Sequence, residues 1–118
     1  MKAILKELNE TISARGALVV ARDGMLVAGE VREGIDVDRL AALGAAIVTE
    51  VGASLEKAGL PGFTNVEIAA EQGKVILAEA GPTYLVVLVG ARLEIGPGSI
   101  EITSAASRLA RAADLAMK

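Results

Sequence analysis

The stretch Leu40-Ala41-Ala42-Leu43-Gly44-Ala45-Ala46-Ile47-Val48 decides the fold, because it is an uncharged run in the middle of the chain's longest helical pattern. The pattern predicts a helix over residues 37–58, with apolar stripes repeating about every 3.6 residues. The bulky stripe comprises Leu40, Leu43, Ile47, Val51 and Ala58, and the small stripe comprises Ala41, Ala45, Val48 and Gly52. A helix that is apolar over much of its circumference must be covered on more than one side. We therefore expect the bulky stripe to pack on the chain's own sheet and the small stripe on a second copy.

The composition favours one domain with an additional buried surface. The chain has 118 residues, of which 53% are hydrophobic and only 2% aromatic. Residues 1–118 are therefore expected to form a single domain with an aliphatic core. Surplus apolar content in so short a chain favours a homodimer interface, and a tightly packed, alanine-rich monomer is the alternative.

Charge and missing residue types argue against several classes of function. A net charge of −3, with scattered basic residues and few aromatics, argues against nucleic-acid binding. The chain has no Cys and no His, which removes cysteine nucleophiles, Ser–His triads and ordinary zinc sites. We expect no catalytic residue, no metal and no cofactor. No apolar run reaches the ~18–20 residues that span a membrane, and the N-terminus is not typical of a signal peptide, so a cytoplasmic protein is expected.

Local signals predict the order of the elements. The first helix is expected over residues 2–15 with Gly16 as its stop, and a hairpin follows, in which residues 17–21 and 25–30 flank the turn Arg22-Asp23-Gly24. Asp36 or Asp38 is expected to cap the central helix, which Gly59-Leu60-Pro61-Gly62 ends. Strands are predicted over residues 64–70, 75–80 and 83–89, and a final helix, capped by Ser99, runs to about Met117.

The predicted order α-β-β-α-β-β-β-α indicates an α+β fold, a five-stranded, mostly antiparallel sheet flanked by three helices. The run 83–89 is the most continuously apolar and is placed at the centre of the sheet. Residues 64–70 alternate between apolar and polar, as in an outer strand.

Several charged or glycine-rich positions are candidate sites. Glu67, Glu71 and Glu79 are more typical of solvated strand charges than of an acid–base pair. Arg92 is a weak candidate for an arginine finger, and the glycines around it match no phosphate-loop motif. Gly44 and Gly52 are more informative, because each costs ~1 kcal/mol relative to Ala inside a helix. Close approach of another backbone would offset that cost.

The ordered set of motifs resembles the Roadblock/LC7 superfamily, the group of dynein light chains and of MglB-like bacterial regulators. The resemblance rests on Arg15-Gly16-Ala17 after the first helix, the hairpin around Arg22-Asp23-Gly24 and the helix start Leu40-Ala41-Ala42-Leu43. It continues through Gly73-Lys74-Val75-Ile76-Leu77, through Tyr84-Leu85-Val86-Val87-Leu88 and into the final helix.

The resemblance implies a profilin-like fold, with the first and third helices on one face of the sheet and the central helix on the other. It also implies a homodimer formed through the central helix and an edge strand, here residues 64–70. The predicted interface residues are Ala41, Ala45, Val48, Gly52, Asn65 and Glu67.

The function that the resemblance implies is that of a non-catalytic dimer that binds a small Ras-like GTPase. MglB-like members modulate GTP hydrolysis by repositioning the GTPase's own residues. A light-chain-like adaptor without effect on hydrolysis is the alternative. A small-molecule sensor ranks last, because aliphatic side chains are expected to fill the space between sheet and helix.

Overall fold

The computed structural model describes residues 1–116 and confirms the predicted α+β fold and element order; Met117, predicted near the end of the last helix, lies outside the described residues. The elements are α1 (Lys2–Ile12), β1 (Gly16–Ala21), β2 (Leu26–Val31), α2 (Val37–Lys57), β3 (Asn65–Ala70), β4 (Gly73–Ala80), β5 (Thr83–Val89) and α3 (Ile100–Ala116). The strands form one antiparallel sheet in the order β2-β1-β5-β4-β3. The run over residues 83–89 is therefore central and β3 is an edge strand, both as predicted.

The helices cover opposite faces of this sheet. On one face, α1 and α3 pack against each other and against a cluster that includes Leu5, Leu109 and the strand residue Ile76. On the other face, α2 packs over a second cluster that includes Leu18 and Val86. This is the layer arrangement that the resemblance implied.

The end of the first helix differs from the prediction. α1 stops at Ile12, and Ser13 adopts a left-handed conformation with φ 56°. Gly16 is not the stop but the first residue of β1, where a Cβ would lie 2.8 Å from Cγ1 of Val31 on the neighbouring strand. The glycine is needed for the close approach of the two strands.

The hairpin and the N-terminal cap of α2 follow the local signals. Gly24 has φ 92° and donates its N–H to the Ala21 carbonyl, as the Asp-Gly turn predicts. The second strand begins and ends one residue later than predicted, because Val31 pairs with Gly16 and extends the strand. Asp36, not Asp38, caps α2, since its Oδ1 accepts from the Asp38 and Arg39 amides.

The far end of α2 and the start of α3 also agree with the sequence. Gly59 has φ 80°, a conformation that glycine adopts without strain after a helix. Leu60 donates its N–H back to the Leu55 carbonyl. Ser99 caps α3, because its hydroxyl accepts from the Ile102 amide at 3.3 Å.

The two glycines inside α2 have different surroundings. A Cβ on Gly44 would lie 2.9 Å from Cγ2 of Val86, a fully buried β-branched side chain on the central strand. A Cβ on Gly52 would meet nothing closer than Cε1 of Phe63, at 3.9 Å. Among the described residues, a close neighbour is therefore present at Gly44 but not at Gly52, and it is the Val86 side chain and not the backbone that was expected.

The substitutions Gly44→Ala and Gly52→Ala are expected to change stability in opposite directions. Overpacking against Val86 outweighs the gain in helix propensity, so Gly44→Ala should lower the free energy of unfolding by about 1–2 kcal/mol. Gly52→Ala should leave it unchanged or raise it by about 0.5–1 kcal/mol. Urea unfolding at two protein concentrations would separate these effects from self-association. An equal rise in the free energy of unfolding of both variants would contradict the close packing at Gly44.

Candidate functional site

The orientation of α2 corrects the predicted division into two stripes. Leu40, Gly44 and Ile47 are buried against the sheet, as is Ala41, which is 5% exposed. Leu43, assigned to the sheet-facing stripe, is instead 44% exposed. The helix is rotated relative to the prediction, so that Gly44 and not Leu43 faces the sheet, at the side chain of Val86.

The side of α2 that faces away from the sheet is small and weakly charged. We call it the outer face of α2; it comprises Ala42, Leu43, Ala46, Thr49, Glu50 and Ala53, all exposed. Residues spaced by three, four and seven positions share one side of a helix, so these side chains form a continuous strip. Glu50 is its single charged residue.

Part of the sheet on the same side is also uncovered. Helix α2 packs mainly on β1 and β2, which leaves the β3 end of the sheet more open. Ile68 is 43% exposed, and Val66 and Val75 are half-buried. We call these three residues the open sheet patch. The apolar face predicted for β3 therefore exists, but this chain alone does not bury it.

Strand β3 has a free backbone edge. It pairs with β4 through six residues in regular register, from Asn65 opposite Ala78 to Ala70 opposite Gly73. Within residues 1–116, no strand pairs with its other side. An unpaired edge exposes N–H and C=O groups that can bind another strand.

The structure distributes the six predicted interface residues over different environments. Ala41 lies in the core under α2, and Val48 packs against that core. The Ala45 methyl group contacts the hairpin turn, since a Cβ on Gly24 would lie 2.7 Å from it. Gly52 is half-buried beside Phe63. None of these four belongs to the outer face of α2.

Asn65 and Glu67 point away from α2. Glu67 lies opposite Ile76, a residue of the cluster under α1 and α3. Its carboxylate is 3.6 Å from Nζ of Lys74, which also donates to the Ile95 carbonyl at 3.1 Å. The Asn65 amide donates to the Thr64 hydroxyl. These two side chains therefore make local contacts within the chain next to the free edge.

An aromatic pair that the sequence reasoning missed fixes the loop between α2 and β3. Phe63 stacks on Tyr84, with ring centroids 5.6 Å apart and planes at 23°. Arg22 also contacts this pair, because its Nη1 donates to the Tyr84 hydroxyl at 2.9 Å. The presence of a single Phe and a single Tyr in an aliphatic chain is the signal that could have suggested the contact.

The described residues provide little for chemistry. Within residues 1–116, no three Asp, Glu, His or Cys side chains converge as metal ligands would. Glu67 and Glu79, considered as acid–base candidates, each lie next to a cation, Lys74 and Arg22 respectively. No helix in the described part of the chain is both long and apolar enough to cross a membrane.

Comparisons with known proteins agree with this fold. The family model described as the Roadblock/LC7 domain matches residues 1–89. An uncharacterised protein of Methanocaldococcus jannaschii, MJ0714, is 30% identical over 106 residues, which cover 90% of this chain and 90% of that protein.

Two solved structures of MglB are similar along nearly the whole chain. One, described as MglB with a tetrameric arrangement, has a TM-score of 0.86 at 26% identity and covers 98% of this chain and 88% of its own. The gliding protein MglB from Thermus thermophilus has a TM-score of 0.84 at 24% identity, with 97% and 88% covered.

Replacement of Phe63 by Ala is expected to destabilise the fold. The substitution removes a half-buried ring and its stacking on Tyr84, so the free energy of unfolding should fall by about 1.5–3 kcal/mol. Leu60→Ala in the same loop is the control: Leu60 is 65% exposed, and its replacement should change stability by less than about 0.5 kcal/mol. Equal unfolding midpoints in urea for the two variants would show that the ring does not fix the loop.

Proposed function

This chain belongs to the Roadblock/LC7 domain family, and we propose that it is a non-catalytic, homodimeric regulator of a small Ras-like GTPase in the cytoplasm. The likeness to an MglB structure over 98% of the chain, at 26% identity, carries the proposal. MglB-like members of the family are the ones that the sequence resemblance associates with GTPases.

The proposed dimer buries the outer face of α2 and the open sheet patch of each copy. Both surfaces lie on the same side of the sheet, so one partner can cover them together. A dimer would also pair the two β3 edges and remove an unpaired strand from solvent. Of the residues predicted from the sequence, Ala45 and Gly52 lie beside this surface, while Ala41 is already buried in its own subunit.

The proposed regulator acts through binding energy. A protein that binds one nucleotide state of a GTPase more tightly shifts the GTPase toward that conformation, by no more than the difference in affinity. A 100-fold preference corresponds to about 2.7 kcal/mol, which a moderate interface supplies without a catalytic side chain. The loops next to α2 are the proposed contact with the GTPase.

The substitution Ala46→Arg is expected to break the dimer. It places a long cation at the centre of the outer face of α2, where a partner would have to desolvate it. The dissociation constant, measured by sedimentation velocity over a dilution series, should rise by about 100-fold or more. Gly52→Leu should also weaken the dimer, because the added side chain lies beside the same surface.

Ala3→Arg is the matched control for this experiment. Ala3 is also an exposed helical alanine, but it lies on α1, across the sheet from the proposed interface. Its replacement should leave the dissociation constant unchanged. A dimer that tolerates Ala46→Arg as well as it tolerates Ala3→Arg would rule out the outer face of α2 as the interface.

The protein is expected to capture a small GTPase in a nucleotide-dependent way. Purified protein would be used as bait in lysate of the source organism, once with GDP and once with a non-hydrolysable GTP analogue. We expect capture of a Ras-like GTPase with the analogue only. Single-turnover hydrolysis by that GTPase should then accelerate by at least about tenfold, and the regulator alone should hydrolyse nothing.

The same experiment distinguishes the adaptor function. Binding that is equal with GDP and with the analogue, together with an unchanged rate of hydrolysis, would favour a light-chain-like adaptor. Turnover of GTP by the regulator alone would contradict both functions.

A further inference from the structure

A depression of about 500 Å³ lies at one end of the sheet, away from the outer face of α2. It is formed where β1 begins, β5 ends and β3 turns into β4. The residues that line it are Arg15, Gln72, Gly90, Ala91, Arg92 and Leu93. Two of them are arginines that the proposed function does not use.

Arg15 is held in place across the end of the sheet. Its Nη1 donates to the carbonyl of Gln72, 57 positions along the chain, at 3.1 Å. The guanidinium lies close to two glycines: a Cβ on Gly73 would be 3.8 Å from Nη1, and a Cβ on Gly90 would be 3.6 Å from Nη2. Only one of the guanidinium's five N–H groups is used by the Gln72 contact, so the others can bind a ligand.

The lining of the depression is positively charged, although the protein has a net charge of −3. Among the described residues, no Asp or Glu lines it. The ion pairs in the described part of the chain involve other cations, namely Arg22, Arg39, Lys74 and Arg108. By contrast, two further depressions contain carboxylates: Glu7 and Glu101 in one, and Glu79 in the other.

We propose that Arg15 and Arg92 form a binding site for the phosphate group of a small molecule. Guanidinium groups bind phosphate oxygens through paired N–H bonds. A phosphate monoester carries about −1.5 to −2 charges at neutral pH. As a ligand of two arginines it therefore balances their charge better than a carboxylate, which carries a single negative charge. The volume exceeds that of a bare phosphate, and Leu93 is the largest apolar side chain in the lining. A small, polar phosphorylated compound therefore fits better than an aromatic nucleotide base.

Titration of the ¹⁵N-labelled protein with inorganic phosphate and with glycerol 3-phosphate tests the site, at ionic strength held constant with sodium chloride. We expect saturable chemical-shift changes at the Gly73, Gly90 and Ala91 amides and at Nε of both arginines. Arg92→Gln should raise the dissociation constant by about tenfold. Arg15→Gln should raise the dissociation constant by a similar factor. An amide spectrum of this variant that is unchanged away from the depression would show that it is folded.

Arg111→Gln is the control, because Arg111 is exposed on α3 and does not line the depression. It removes the same charge and should leave the affinity unchanged. Shifts that increase linearly without saturation, or an equal loss of affinity in Arg111→Gln and Arg92→Gln, would overturn the site. A phosphoserine peptide that binds more tightly than either small molecule would overturn the assignment to a small ligand. This site is independent of the proposed GTPase, since the titration contains none.

Discussion

The close approach of α2 to β5 at Gly44 is the contact on which the remaining arrangement depends. Because this residue has no side chain, the helix lies directly over Val86, and Leu40 and Ile47 reach the sheet one turn to either side. This contact fixes the rotation of the helix about its axis. The rotation in turn places Leu43 and Ala46 on the outside. The surface available to a partner is thus a consequence of packing inside the subunit.

The sequence was sufficient for the type and order of the elements, but not for the end of α1 or the rotation of α2 about its axis. Strands, turns and caps follow from local signals, such as the apolar run of β5 or the Asp23-Gly24 turn. The rotation of α2 depends on which residue faces Val86, a contact between positions far apart in the chain. Alanines occur on all sides of this helix, so periodicity alone does not distinguish Ala41, which is buried, from Ala46, which is exposed. The fold and the edge strand were therefore predicted correctly, while the division of α2 into an inner and an outer stripe was not.

The same limitation explains why the contact between the two aromatic rings was not predicted. Phe63 and Tyr84 lie in different elements, and no local pattern connects them; they meet because the loop after α2 folds back over β5. Together with Arg22, they join this loop, the central strand and the first hairpin. The loop leads directly into β3, so its fixed position also fixes the start of the free edge. A surface that is ordered before binding loses less conformational entropy when a partner binds.

The two edges of the sheet are not equivalent, and the difference favours β3 as the site of association. The β2 edge exposes Leu26 and Val27, but the pairing of β2 with β1 shifts register between Val19 and Val20. Such an irregularity twists an edge and opposes the addition of another strand. Strand β3 pairs without a shift, and Ile68 faces the same side as α2. A strand added there extends the sheet at the end that α2 leaves open, next to the open sheet patch.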